Sequence, residues 1–162
     1  MIEYTVKLYR FDELSDDAKE RAREWYRESP IEYGWNGESI DSIKAFCDHF
    51  GVTLTDWSIG SYYCYQYKHD ADNLTFRGLR LNKVNREYMP TGYCLDNDLW
   101  YTFHDEFKAT GSALTAFNKA LDAGFRSWYN DIQWQESNEY IDEILVINEY
   151  TFLDSGEHFR VR

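Results

Sequence analysis

Two prolines and nine glycines are few for 162 residues, and they leave no stretch that reads as a linker between domains. Disorder is argued against on a second ground: disordered segments are poor in aromatics, and this chain carries 14 Tyr, 10 Phe and 6 Trp. Cysteine is scarce too. Cys47, Cys64 and Cys94 are odd in number and far apart, which offers neither a disulfide framework nor a zinc site and suits a reducing cytoplasm. No apolar run reaches the 18 residues a membrane helix needs, and the opening MIEYTVKLYRF has neither the basic nor the apolar region of a signal peptide. A cytoplasmic location without membrane contact is therefore expected. Positive charge is also short, with 17 basic against 29 acidic residues, and a net charge of -12 argues against direct binding of nucleic acid, whose phosphates reward Lys and Arg.

What is present is enough for one domain. A chain of this length removes roughly 70% of its unfolded surface from water, so it folds without staples. Its charge is uneven. Residues 61–92 carry 5 basic and 3 acidic groups, whereas residues 93–162 carry 5 and 13, a net of -8.

The tyrosine-rich middle organises the pattern. VTLTDWSI, YYCYQYK and LTFRGLRL, between Val52 and Leu81, read as three consecutive antiparallel strands, because Tyr62, Tyr63, Tyr65 and Tyr67 suit a pleated, half-buried surface. Gly60-Ser61 reads as a two-residue hairpin turn and His69–Asn73 as a longer polar one. Ile2–Tyr9 alternates apolar and polar residues and is expected to join as a fourth strand. A helix follows from the Ser15 cap, with Asp16 and Asp17 in its first turn, and ends at Ser29-Pro30. A second is expected from Ser39 to Gly51, with Ile40, Ile43, Phe46, Cys47 and Phe50 on its buried face. Further helices are expected from Asp96 to Thr110, from Ser112 to about Trp134, and from Ser137 onward, before a closing hairpin around Asp154–Glu157. The expectation is one α+β domain over 1–162, with a mostly antiparallel sheet of four to six strands covered by four or five helices.

Familiar chemistry does not assemble from these residues. Cys47 and His49 make half a zinc site at best, and the turn residues His69, Asp70 and Asp72 lack the offsets of a calcium loop. His104, Asp105 and Glu106 are neighbours on a helix and point about 100° apart, so they do not converge without partners from elsewhere. No catalytic residue, cofactor or metal is expected. The suggestive feature is acidic instead. On the last helix Glu136, Glu139, Asp142 and Glu143 recur at three- and four-residue spacings, which places neighbouring carboxylates about 5–6 Å apart. Asp98, Asp105, Glu106, Asp122 and Asp131 extend the track if the helices pack side by side. The bland alternative is a set of solvated helix faces that keep the protein soluble.

The opening YRFDELSDDAKERAREWYRE and the closing SNEYIDEILVINEYTFLDSGEHF resemble the two ends of small phage- and prophage-encoded proteins of unknown function, some of them labelled antitoxins of toxin–antitoxin stability systems. The resemblance covers the ends and not the tyrosine-rich middle. It implies a mobile-element origin and transfers no catalytic residue. In that context small acidic proteins often block host defence machinery, some as DNA mimics. The expected function is stoichiometric binding of the acidic helices to the basic nucleic-acid site of a host defence protein, such as a CRISPR effector or restriction nuclease. Two alternatives stand beside it: an antitoxin-like module that binds protein through the aromatic sheet, and a small enzyme using His69 or His104.

Overall fold

A computed structural model describes residues 5–29, 35–60 and 65–160. In chain order the elements are β1 Tyr9–Arg10, α1 Asp16–Glu28, α2 Trp35–His49, β2 Leu54–Ile59, β3 Tyr65–His69, α3 Cys94–Thr110, α4 Ala113–Gln135, α5 Asn138–Ile147 and β4 Thr151–Phe152. The architecture is α+β. Among the described residues it has five α-helices and two antiparallel sheets of two strands each, so the expected sheet of four to six strands does not form. No helix among these residues is long and apolar enough to cross a membrane. The chain falls into two compact units, Met1–Glu32 with Gln133–Arg162, and Tyr33–Ile132, each with its own core.

The smaller unit is built on α1 and α5. Ser15 Oγ accepts from the Ala18 amide as expected, and Ala18, Ala22 and Tyr26 bury one stripe of α1. Ser137 Oγ accepts from the Tyr140 amide and starts α5, whose Ile141 and Leu145 are wholly buried. Each of those two side chains contributes about 2 kcal/mol by leaving water. Phe11 and Phe152 close the core with an edge-on contact at 6.5 Å. The N-terminal strand differs from expectation. Only Tyr9–Arg10 is strand, and it pairs with β4 in the register Tyr9↔Phe152 rather than joining the tyrosine strands. Residues 5–8 are exposed and form no strand, and residues 1–4 lie outside the described residues. The closing hairpin is shorter than expected: one bridge, Phe152↔His158, holds it, with bonds from the Leu153 amide to the Glu157 carbonyl at 2.9 Å and from the Phe159 amide to the Thr151 carbonyl at 3.0 Å. Gly156 explains why that turn carries glycine. Its φ is +86°, and a Cβ there would lie 2.1 Å from the Ala18 carbonyl oxygen.

The larger unit packs α2, α3 and α4 around an aromatic centre. Phe46 meets Trp100 at 5.1 Å, Phe103 at 6.0 Å and Phe117 at 5.3 Å, all four rings buried. Gly124 lets α4 approach α3, since a Cβ there would lie 2.7 Å from Leu99 Cδ2. α2 begins at Trp35, not at a Ser39 cap. Ser39 is buried inside the helix, and Gly51 ends the segment at φ +67° as expected. α3 begins at Cys94 with Tyr93 in the cap position. Asp96 is thus not the cap. Its buried Oδ2 reaches back to accept from the Thr91 amide, the Thr91 hydroxyl and the Gly92 amide, at 2.9, 3.0 and 2.9 Å, which ties the preceding loop to the helix.

β2 and β3 pair antiparallel as the tyrosine pattern predicts, but in the register Trp57↔Tyr67 and Ile59↔Tyr65, which leaves five residues between the paired ends and not the two of the expected Gly60-Ser61 turn. Ser61–Cys64, including Tyr62, Tyr63 and the turn residue Ser61, lie outside the described residues. The third strand does not exist. Asp72 Oδ1 accepts from the Leu74 amide, the Thr75 amide and the Thr75 hydroxyl, which winds the chain into turns, and Gly78 at φ +80° continues them. Side-chain competition for backbone amides outweighs the alternation of LTFRGLRL. Phe76 is buried all the same, against Phe50 and Phe117, so its burial needed a loop and not a strand.

Candidate functional site

The acidic residues singled out in the sequence divide between the two units. Glu136, Glu139, Asp142 and Glu143 belong to the smaller one, and Asp98, Asp105, Glu106 and Asp131 to the larger. The smaller unit carries 16 acidic and 8 basic residues, a net of -8, against 13 and 9 in the larger. Two thirds of the net charge therefore sits on little more than a third of the chain.

Within the smaller unit, the arginines of α1 sort the carboxylates of α5 into two kinds. Arg23 grips Asp142 with Nε to Oδ1 at 2.6 Å and Nη2 to Oδ2 at 2.7 Å, and its Nη1 meets Glu20 at 2.9 Å. Arg27 donates to the Glu136 carbonyl at 3.3 Å and to Asn138 Oδ1. Asp142 is thus a structural partner. Glu139 and Glu143 are exposed, one turn apart, and make no ion pair among the described residues. The buried Ile141 and Leu145 fix which way that pair faces.

In the larger unit three of the carboxylates are already matched. Arg86 holds Asp105 through Nε and Nη2 at 3.0 and 3.1 Å, and that contact, then His104, lowers the Asp105 pKa. Lys119 meets Glu106 at 2.9 Å, and Arg126 meets Asp122 at 2.5 Å. Asp98 and Asp131 have no such partner among the described residues. Loss of hydration and then the Asp98 charge raise the Asp131 pKa. These two carboxylates repel each other, so a cation from elsewhere would be favoured beside them.

The aromatic hairpin is turned inward. Tyr67 stacks on Phe125 at 4.8 Å and Tyr65 at 5.9 Å, while the Tyr65 hydroxyl donates to Asp122 at 2.7 Å. Both tyrosines face α4. Their neighbours Gln66 and Lys68 point outward opposite Ser58 and Asp56. Each of the four histidines has a neighbour: His49 lies beside Trp100 at 4.7 Å, His69 bonds Asn118 at 2.8 Å, His104 lies 3.4 Å from Asp105, and His158 lies flat on Trp25 at 4.0 Å. Among the described residues no group of three or more His, Cys, Asp or Glu is placed to hold a metal ion.

Sequence spacing offers the i,i+4 pair of Asp122 and Arg126, but it could not show that Asp142 is neutralised, because its cation lies far along the chain. Arg23 and Asp142 are 119 residues apart. No family model matches this chain, and comparison with curated proteins and with solved structures gives no match.

Proposed function

We propose that the protein is a stoichiometric inhibitor of phage or mobile-element origin, whose acidic helical face occupies the basic nucleic-acid-binding site of a host defence protein. One observation carries the proposal: Glu139 and Glu143 stand outward and unpaired on a helix whose inner carboxylate, Asp142, is held by Arg23, in a unit with a net charge of -8. Paired carboxylates are of little use to a partner, since its arginines would have to displace internal ones. Unpaired carboxylates one turn apart on a helix, on Cβ atoms about 5–6 Å from each other, suit a site that grips successive phosphates of a nucleic-acid strand. The target is accordingly a nuclease or CRISPR-type complex in the bacterial cytoplasm, and no nucleic acid, cofactor or metal takes part on this side of the interface.

The antitoxin-like reading is weaker for a specific reason. It relies on the aromatic sheet, and Tyr65 and Tyr67 are spent on Phe125. Salt separates the two. A complex made by charge loses affinity steeply as ionic strength rises, while an aromatic one does not. The test is capture from an extract of defence-competent bacteria, with the tagged protein as bait and a salt series as wash. The proposal expects a nuclease or effector complex that elutes at high salt and is not retained by Glu139→Lys/Glu143→Lys. Retention by that variant overturns it.

A further inference from the structure

The smaller unit has a second feature that the acidic track does not include. Arg21, Glu24, Trp25 and Glu28 recur at the three- and four-residue spacings of one face of α1, and they line one side of an open cavity of about 430 Å³. Ser155, Glu157 and His158 line the other side. The imidazole of His158 lies on the Trp25 indole at 4.0 Å with the planes 15° apart, and Tyr150 and Phe152 brace the indole edge-on at 5.4 and 5.9 Å. Gly156 sits against the Ala18 carbonyl, which sets the turn against the helix, and the Leu153 amide donates to the Glu157 carbonyl at 2.9 Å within the turn. Glu24, Glu28 and Glu157 make no ion pair among the described residues, and neither does Arg21. Burial, then the Arg160 charge, lowers the His158 pKa. Three carboxylates thus line the cavity with Arg21, and Arg160 acts on it from beside His158.

The larger unit shows what such an arrangement holds. On α3, Tyr101 and Asp105 stand one turn apart, and the Arg86 guanidinium lies 4.1 Å over the Tyr101 ring while it bonds both Asp105 oxygens. On α1, Trp25 and Glu28 repeat the pairing of an aromatic ring and a carboxylate one turn later. No arginine among the described residues lies over Trp25.

We propose that the Trp25–His158 cavity is a receptor for an arginine side chain presented by the partner protein. A guanidinium is planar, spreads its charge, stacks on indole, and offers five N–H donors to the surrounding carboxylates. A lysine ammonium matches the charge and neither the stacking nor the fork. The cavity volume lies within the usual range for ligand sites and admits the flanking backbone as well as the side chain. The inference rests on the reading of the smaller unit as the face that meets a basic partner, and it names the residue type that is gripped.

The test is an NMR titration of the full-length, ¹⁵N-labelled protein with blocked Gly-Arg-Gly and with blocked Gly-Lys-Gly. Saturable shifts are expected at the Trp25 indole N–H and at His158, with the lysine peptide at least about fivefold weaker. Glu28→Gln/Glu157→Gln removes two charges with little change of shape, and its spectrum reports whether the fold persists. It should weaken the arginine peptide about tenfold. Equal affinity for the two peptides, shifts confined to other residues, or an unaffected double variant would each overturn the proposal. Glu139→Lys/Glu143→Lys separates the two claims. It should leave peptide binding within about twofold while it abolishes capture of the partner. If peptide binding survives and capture also survives, the cavity stands and the acidic-helix inhibitor does not.

Discussion

Arg23 and Asp142 meet through two parallel hydrogen bonds of 2.6 and 2.7 Å, although 119 residues separate them in the chain. The guanidinium also lies 5.6 Å over the Phe11 ring, so one side chain joins α1, α5 and the core of the smaller unit. Arg23→Ala is expected to cost about 2 kcal/mol, because it leaves a partly enclosed carboxylate without its charge-assisted bonds. Arg23→Lys should cost about 1 kcal/mol, since an ammonium cannot span both oxygens. Amide exchange in α1 and α5 measures both. Equal protection in the lysine variant and the native protein would show that the fork is unimportant.

Gly156 should be the least replaceable glycine. Alanine there must hold a left-handed backbone and move the Ala18 carbonyl, and a cost of about 3 kcal/mol is expected. Urea unfolding of Gly156→Ala, read at the smaller unit's amides, gives the result. A loss of under about 1 kcal/mol would mean that the turn is not pinned to α1.

Cys47 and Cys94 should behave oppositely. Cys47 is buried and desolvation, reinforced by Asp48 and Asp70, pushes its thiol up to about 12, whereas Cys94 is exposed. Iodoacetamide at pH 8 should label Cys94 and spare Cys47, as peptide mass spectrometry can show. The same shift has a stability consequence. Between the unfolded thiol value near 9 and the folded value near 12, the unfolded chain releases a proton that the folded chain keeps, so stability falls as pH rises through that window. Cys47 labelled as fast as Cys94 in the native state would contradict both statements.

The two inward tyrosines differ in what their hydroxyls do. Tyr65 donates to Asp122 at 2.7 Å, while Tyr67 reaches the Asn118 carbonyl at only 3.4 Å. Tyr65→Phe should cost about 1 kcal/mol and Tyr67→Phe a few tenths at most. Tyr67→Ala, which removes the ring stacked on Phe125, should cost about 3 kcal/mol. Thermal unfolding of the three variants orders them. A larger loss for Tyr67→Phe than for Tyr65→Phe would reverse the assignment.

Helices were legible where a cap and a stripe coincide. Ser15, Ser137 and the left-handed Gly51 and Gly111 mark ends that the structure places within a residue or two of expectation. Strands were legible only where the ring pattern was dense, in Tyr65–His69 and its partner. LTFRGLRL alternates as a strand should, yet Asp72 captures two backbone amides and winds it into turns, a local choice that alternation does not report. The short N-terminal strand was misplaced because pairing partners are not written in either strand. The acidic residues were visible as a set, but their division into matched and unmatched was not, since Arg23, Arg86 and Lys119 find Asp142, Asp105 and Glu106 only after folding. The Trp25–His158 cavity left a trace, the four-residue face of α1, which reads equally well as a solvated helix surface until the turn at Gly156 is set against it.

The central claim is that Glu139 and Glu143 block a nucleic-acid-binding site, and the most direct measurement is DNA cleavage by the captured nuclease complex as purified protein is added. The account predicts that cleavage stops near one equivalent of the native protein, and that Glu139→Lys/Glu143→Lys, with Asp142 and its arginine untouched, needs at least about tenfold more. Inhibition by the variant at the same equivalence, or cleavage undisturbed by the native protein, would contradict it.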